Sequence, residues 1–218
     1  MVAQVGQPLP NGMLVLLIRT EEELQCYSSS LTRLLVQGME DNRTDRSRPW
    51  NYAFCLGAGF YYHHTLPKNL GRWRSMNDVL QQPPPTLREF LLFIIAHPRD
   101  NIPVASLEVL ADVNSRTKTA ELIDLVVARE YRCRGLITPF VSIVMRCLHV
   151  ELHSMRIQAW TQPETAIHNL YERLGFLERT VQPGDGRTTA PLSLLEYRFH
   201  DGHQWPTVVR HDKLQKGM

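Results

Sequence analysis

The stretch from Glu121 to Phe176 constrains the fold of this chain most. It opens with an apolar strand pattern over Glu121 to Val127, passes through a basic loop over Arg132 to Ile137, and continues as helix, strand and helix. Backbone N–H groups at a helix start, the helix dipole and nearby guanidinium groups together favour a bound phosphate. The pattern therefore predicts an anion seated at the start of the first of these helices.

Two residues predict where that helix begins. Thr138 is typical of an N-cap, because its hydroxyl can accept a hydrogen bond from a free backbone N–H, and Pro139 suits the first helical position. An arginine-rich turn before a helix is also a common solvated surface feature, so this loop alone does not identify a phosphate site.

Length and composition limit the function classes. With 218 residues, of which 43% are hydrophobic, the chain is expected to form one domain with a full core. The 24 Lys and Arg residues against 22 Asp and Glu leave a formal charge of +2, which does not indicate a nucleic-acid binder. No apolar run reaches the roughly 18 residues of a membrane span, and no signal peptide is evident. We expect a soluble, cytoplasmic protein with no nucleic-acid or membrane partner.

The possible metal ligands do not form a recognisable site. The four cysteines are far apart and lack the paired spacing of a zinc site or a disulfide framework. His149 and His153 stand four residues apart, but no third ligand accompanies them. We therefore expect no metal.

The segments before this stretch have their own patterns. The apolar run from Met13 to Arg19 predicts a buried strand. Thr20 followed by Glu23 predicts a capping box at the start of an amphipathic helix that reaches Gly38. Residues 40–50 are polar and charged, which is typical of a loop.

Three more segments have strand patterns. They cover Phe90 to Ala96, Val104 to Asp112 and Thr119 to Arg129, with turn-like residues between them. We expect three consecutive antiparallel strands, the third of which leads into the basic loop.

The last of these strands carries two carboxylates. Side chains alternate along a strand, so Glu121, Leu125 and Val127 are predicted on one face together with Ile123, and Asp124 on the other. Both carboxylates cannot point into one site unless a β-bulge intervenes.

Two motifs resemble those of a known family. The segment from Tyr131 to Leu136, directly after an apolar strand, resembles the coenzyme A pyrophosphate loop of the GNAT acetyltransferase superfamily. That loop has Arg or Gln, two residues, Gly, one residue, and Gly or Ala. The segment from Asn169 to Phe176 resembles the second signature of the same superfamily. The two occur in the family's order and at about its separation, and the resemblance covers about residues 87–199 well.

The resemblance implies a mixed α/β fold. One GNAT domain over residues 1–218 would have a strongly bent, mostly antiparallel central sheet flanked by helices and splayed between strands 4 and 5. Residues 1–86 would supply the first strand, helices and the acceptor side. Residues 87–199 would form the acetyl-CoA-binding core, and 200–218 a tail.

The resemblance also implies a coenzyme site. Backbone groups of the strand before the loop would pair with the pantetheine arm, loop amides would hold the pyrophosphate, and the second signature would meet the cysteamine end. The residues expected to contact acetyl-CoA are Leu125, Val126, Val127, Arg132, Cys133, Arg134, Gly135, Leu136, Ile137, Thr138, Asn169 and Tyr171.

The implied reaction is acetyl transfer from acetyl-CoA to a primary amine, by direct attack in a ternary complex. Tyr171 would lie near the thioester sulfur and act as the acid. Glu121 matches the position at which some family members carry a catalytic glutamate, so it is the preferred base, with Asp124 second. A small-molecule amine is slightly favoured over a protein lysine or N-terminus, and the chain is expected to be a monomer or homodimer.

One residue departs from the family pattern. Ile137 stands where the family has Gly or Ala, and its branched side chain could crowd the pyrophosphate. Pro139 also removes one backbone donor from the first helical turn. These two residues motivate an alternative function, a catalytically weak or inactive coenzyme A sensor or interaction module.

Overall fold

The structure, a computed structural model, describes residues 3–41, 88–112, 118–182 and 191–200. Most of the loop predicted over 40–50, the rest of the segment up to residue 86, and the tail beyond His200 lie outside these ranges. No helix in the described ranges combines the length and apolar character that a membrane span requires.

The described strands form one mixed sheet. Its order is β1-β2-β3-β4-β5-β6-β8-β7, with β5 and β6 parallel and every other neighbouring pair antiparallel. The strands are β1 (Ala3–Gln4), β2 (Leu14–Ile18), β3 (Arg88–Ala96), β4 (Pro103–Asp112), β5 (Thr119–Val127), β6 (Arg156–Thr161), β7 (Leu177–Gln182) and β8 (Leu192–Arg198). The helices are α1 (Glu21–Asp41), α2 (Ile137–Leu152) and α3 (Ala166–Arg173), with single 3-10 turns at Pro10–Gly12 and Arg129–Tyr131. The predicted class, a mostly antiparallel sheet flanked by helices, is confirmed.

Both faces of the central strands are buried, which explains their continuous apolar runs. In β3, Phe93 and Ile95 lie in the core shared with α2 and α3, whereas Leu92 and Ile94 lie in a second core beneath α1. Strand alternation thus sends neighbouring residues to opposite sides of the sheet.

The start of α1 confirms the predicted capping box. The N–H of Glu23 donates to Oγ1 of Thr20 over 3.3 Å. The Glu23 carboxylate in turn accepts from the N–H of Arg19 over 3.0 Å, one residue earlier than in the usual reciprocal pair.

Close packing of α1 on β5 depends on Gly38. A Cβ added there would lie 2.7 Å from Cγ1 of Val126, closer than real Cβ atoms come to a neighbour. We expect Gly38→Ala to destabilise the protein by about 1 kcal/mol, because the overpacking outweighs the gain in helix propensity. Urea unfolding measures the change.

Val126→Ala is the matched test of this contact, since it removes the methyl group that the new Cβ would meet. In the Val126→Ala background, Gly38→Ala should be neutral or stabilising. Equal destabilisation in both backgrounds would show that Val126 is not the cause.

The sheet opens between β5 and β6. Their parallel pairing joins Thr119–Leu122 to Arg156–Ala159, although β5 continues to Val127. Among the described residues, positions 123–127 of β5 therefore have no partner in β6. If the two-residue β1 is not counted, these are the fourth and fifth strands, between which the opening was predicted.

A β-bulge interrupts β5 at the opening. Leu122 pairs with Val109 and Leu125 pairs with Leu107, so two residues of β5 lie opposite Glu108 alone. Leu122, Leu125 and Val127 all face the core shared with α2 and α3. The predicted alternation, which put Glu121 on one face with Leu125 and Val127, is therefore wrong because it assumed an unbroken strand.

Candidate active site

The loop between β5 and α2 is folded so that its backbone turns back on itself. Arg132 Nε donates to the carbonyl oxygen of Val127 over 3.0 Å, which ties the loop to the end of β5. Cys133 and Gly135 adopt left-handed backbone angles, with φ of 58° and 70°. Leu136, the next residue in the chain, adopts the right-handed helical conformation. Alternation of this kind turns consecutive N–H groups toward one side and makes a concavity that suits an anion.

Helix α2 begins earlier than predicted. Its N-cap is Leu136, without a side-chain cap, and its first residue is Ile137, so Thr138 and Pro139 are its second and third residues. The prediction of Thr138 as N-cap was wrong because Leu136 is 1% exposed and anchors the helix start in the core. Pro139 is tolerated because the first N–H groups of a helix have no intrahelical acceptor.

Several donors at this helix start are available. Within the described ranges, no group accepts a hydrogen bond from the N–H of Gly135, Leu136, Ile137 or Thr138, and the first intrahelical bond runs from Phe140 to Leu136 over 3.1 Å. The guanidinium of Arg134 is exposed beside them, 5.6 Å from the centre of the Tyr131 ring. These groups could hold a pyrophosphate.

The side chain of Ile137 does not add bulk on the solvent side of the loop. It is partly buried and packs against the core shared with α2 and α3. The helix start therefore accommodates a branched residue by turning it inward, although the family pattern has a smaller one.

Tyr171 lies on α3 at the edge of the same core. It is 3% exposed, and its ring centre lies 5.0 Å from that of Phe176. Burial raises the pKa of Tyr171, and the negative charge of Asp124 raises it further. The phenol therefore holds its proton more tightly than an ordinary tyrosine does.

His168 fixes the start of α3 next to the expected contact residues. It is buried, and its Nδ1 lies 3.0 Å from Oγ1 of Thr161 at the end of β6. Its N–H donates to the N-cap hydroxyl of Thr165 over 3.2 Å. Asn169, the next residue, is exposed. Sequence reasoning did not assign His168 this role, because only the fold brings Thr161 beside it.

The bulge brings the two candidate carboxylates to one face. Ile123 and Asp124 both lie opposite Glu108, between residues that face α2, so they share the face of Glu121. Desolvation raises the pKa of Asp124, although its side chain is still accessible to solvent. Asp124 is also close enough to influence Tyr171. The β-bulge that both carboxylates need in order to point to one side of the sheet is therefore present.

One further carboxylate at this place was missed from the sequence. Glu108 lies on β4 opposite the bulge and is 3% exposed. A buried glutamate in an apolar strand gives no sequence signal beyond its position, so only the register identifies it. Among the described residues, no group of His, Cys, Asp and Glu is arranged to hold a metal ion.

Comparisons with solved structures match this fold. A ribosomal-protein-S5-alanine acetyltransferase from Vibrio fischeri aligns with 11% identity and a TM-score of 0.61, over 95% of this chain and 100% of the other. A NatC complex bound to Gag peptide and CoA aligns with 17% identity and a TM-score of 0.53, over 85% and 99%. A chimeric spermidine N-acetyltransferase from Vibrio cholerae and hSSAT aligns with 12% identity and a TM-score of 0.55, over 84% and 95%.

At these identities the structural likeness shows the fold alone. No curated protein matches the chain in sequence. The family model described as acetyltransferase (GNAT) family matches residues 61–176, which is more than half of the chain. This protein therefore belongs to the GNAT family of acetyltransferases.

Proposed function

We propose that this acetyltransferase transfers an acetyl group from acetyl-CoA to a primary amine by direct attack in a ternary complex. The observation that carries the proposal is that Asp124, on β5 just beyond its last partner in β6, lies close enough to Tyr171 of α3 for its charge to act on the phenol. A buried phenol with a raised pKa lies within electrostatic reach of a carboxylate whose pKa is also raised. Such a pair supplies the acid and the base that the transfer requires.

The coenzyme would lie between the separated strands. Residues 125–127 of β5 have no partner in β6. Their backbone groups, apart from the Val127 carbonyl that accepts from Arg132, would pair with the pantetheine arm. The free N–H groups from Gly135 to Thr138 would hold the pyrophosphate, with Arg132 and Arg134 adding positive charge. Asn169, exposed on α3, would meet the cysteamine end.

The side chains of this site would move two protons. Bound acetyl-CoA supplies a thioester whose carbonyl carbon the amine attacks, forming the N–C bond while the C–S bond breaks. A carboxylate accepts the proton that the amine loses, and the Tyr171 hydroxyl donates its proton to the departing sulfur. Asp124 is the better supported base, because its pKa is raised toward the working pH. Glu121, on the same face, stays the other candidate.

None of these residues determines whether the acceptor is a small molecule or a peptide. Proteins with this fold include enzymes named for spermidine and for a ribosomal protein, and a complex bound to a peptide. Both a small amine and a peptide amine are therefore consistent with the proposed site. The alternative function, a non-catalytic coenzyme A module, is less well supported. It assumed that Ile137 crowds the pyrophosphate, but Ile137 packs into the core.

Coenzyme binding is testable at Gly135. Its φ of 70° costs a β-branched residue about 1–2 kcal/mol, and a distorted loop would misplace the N–H donors. We expect wild-type protein to bind acetyl-CoA in calorimetry and Gly135→Val to raise the Kd at least about tenfold. Thiol release from acetyl-CoA with a panel of amines then tests transfer.

Gly12→Val is the matched control. Gly12 has a similar φ of 73° but lies in the turn before β2, where the nearest atom to an added Cβ is 4.0 Å away on Pro98. It should lose a similar amount of stability and keep the wild-type Kd. Absence of acetyl-CoA binding to wild-type protein at millimolar concentration would overturn the proposed function.

A further inference from the structure

Three arginines surround one buried carboxylate on β6, β7 and β8, next to the part of β6 that pairs with β5. Glu196 on β8 is 4% exposed. Its carboxylate oxygens lie 3.3 Å from Nε of Arg156, 3.2 Å from Nε of Arg179 and 2.6 Å from Nε of Arg198. These three arginines are called the arginine patch below.

The arginine patch carries more positive charge than Glu196 neutralises. Three guanidinium groups against one carboxylate leave two positive charges, and each guanidinium has five N–H donors, far more than a single carboxylate can accept. The side chains of Arg156, Arg179 and Arg198 are 35%, 40% and 49% exposed. Glu196 thus holds the three arginine side chains in place at the sheet, and their solvent-exposed sides can contact an anion.

Strand register places the patch on the sheet face of Glu121, the second candidate base. Glu121 pairs with Gln158, and Gln158 pairs with Glu196. Paired residues point to the same side of a sheet, and Gln158 Nε2 confirms this by donating to Glu196 Oε2 over 3.1 Å. Neighbouring strands lie about 4.8 Å apart, so the patch is roughly 10 Å from Glu121.

The same face therefore carries charges of opposite sign at its two ends. Glu108, Glu121 and Asp124 lie toward β4 and β5, while the arginine patch lies on β6, β7 and β8. The positive charge of the second end attracts an oxyanion. Electrostatic complementarity of this kind selects among substrates and orients them.

We propose that the arginine patch binds an anionic group of the acceptor, so that the enzyme acetylates amines carrying a carboxylate or phosphate on the order of 10–15 Å from the reacting nitrogen. This inference rests on the proposed acetyl transfer at Asp124 and Tyr171. A free amino acid is too short for that span. An extended peptide covers it with three to four residues, at about 3.3–3.6 Å each.

Acetylation of matched peptides tests the proposal. The acceptors are hexapeptide amides with a free alanine N-terminus and one glutamate, glutamine or lysine at position 4, and thiol release gives kcat/KM. We expect the wild-type enzyme to prefer glutamate over glutamine at least about fivefold and to disfavour lysine, because a charged hydrogen-bonded contact is gained. Moving the glutamate to position 2 should remove most of the preference.

Arginine variants locate the effect. Arg179→Gln should reduce the glutamate preference severalfold while leaving kcat/KM for the glutamine peptide unchanged, and Arg179→Lys should retain part of it. Arg99→Gln makes the same charge change on an exposed residue of the turn after β3 and should have no effect. Urea unfolding verifies that each variant is folded, since Arg156 and Arg198 still compensate Glu196.

The outcomes separate this inference from the proposed function. If amines are acetylated but glutamate and glutamine peptides react equally, or if Arg179→Gln keeps the preference, the arginine patch is not an acceptor site although transfer stands. If no amine is acetylated, N-acetylated fluorescent versions of the peptides still report on the patch by anisotropy. Equal binding of the glutamate and glutamine versions then rejects it.

Discussion

We expect Tyr171→Phe to lower kcat by about 10²–10⁴-fold, the range that general acid catalysis contributes. The substitution removes the only proton that the ring can donate and keeps its packing against Phe176. Because phenylalanine keeps the ring and loses only the hydroxyl, the loss should be one of catalysis and not of binding. Thiol release measures kcat, and calorimetry should give an unchanged Kd for acetyl-CoA.

Tyr197→Phe is the matched control for this result. Tyr197 belongs to the same core, 8% exposed on β8, with its ring centre 5.6 Å from that of Phe176. It lies away from the opening between β5 and β6, so the loss of its hydroxyl should leave kcat within about twofold of wild type. Equal losses in the two variants would assign the effect to core packing.

The pH profile separates the acid from the base. The pKa of Asp124 is raised by desolvation, so its basic form appears only above the ordinary range of an aspartate. Activity should therefore fall as the pH is lowered through that raised pKa. If Asp124 is the base, Asp124→Asn removes this fall in activity at low pH. Tyr171→Phe lowers the rate but leaves the same fall in activity at low pH. A fall that persists in Asp124→Asn would show that Asp124 is not the base.

Much of the site's framework was predictable because it depends on local signals. The strand of β2, the capping box at Thr20 and the three antiparallel strands follow from apolar runs and turn residues, which act over a few positions. The family was predictable for a related reason. Its two motifs are short, and the family model that matches residues 61–176 confirms the family.

The remaining features depend on register and burial, which short patterns do not encode. Two residues of β5 facing Glu108 alone reverse the alternation after Leu122, so the predicted faces of Leu125 and Val127 were wrong. The start of α2 moved because Leu136 is anchored in the core, a tertiary contact that overrides the capping preference of Thr138. Such departures concentrate at the opening of the sheet, where the proposed chemistry takes place.

Glu196 contacts Arg198 two residues away and Gln158, Arg156 and Arg179 on other strands, and its removal should have the largest effect on stability. Burial alone would raise its pKa, but hydrogen bonds from Arg198 and Gln158 and the charges of Arg156 and Arg198 lower it. We expect Glu196→Gln to reduce the free energy of unfolding at pH 7 by about 2–3 kcal/mol, because charged hydrogen bonds are lost and the arginines repel one another. Urea unfolding measures the difference.

The pH dependence of that difference is the sharper measurement. A carboxyl whose pKa is lower in the folded than in the unfolded protein stabilises the fold above its unfolded value, near 4.5, and loses this contribution as the pH falls through the folded value. The gap between wild type and Glu196→Gln should therefore shrink below about pH 4.5. Glu178→Gln, an exposed residue of β7, should show no gap at either pH. A gap of constant size for Glu196→Gln would mean that packing, and not the ionised carboxylate, holds the arginines together.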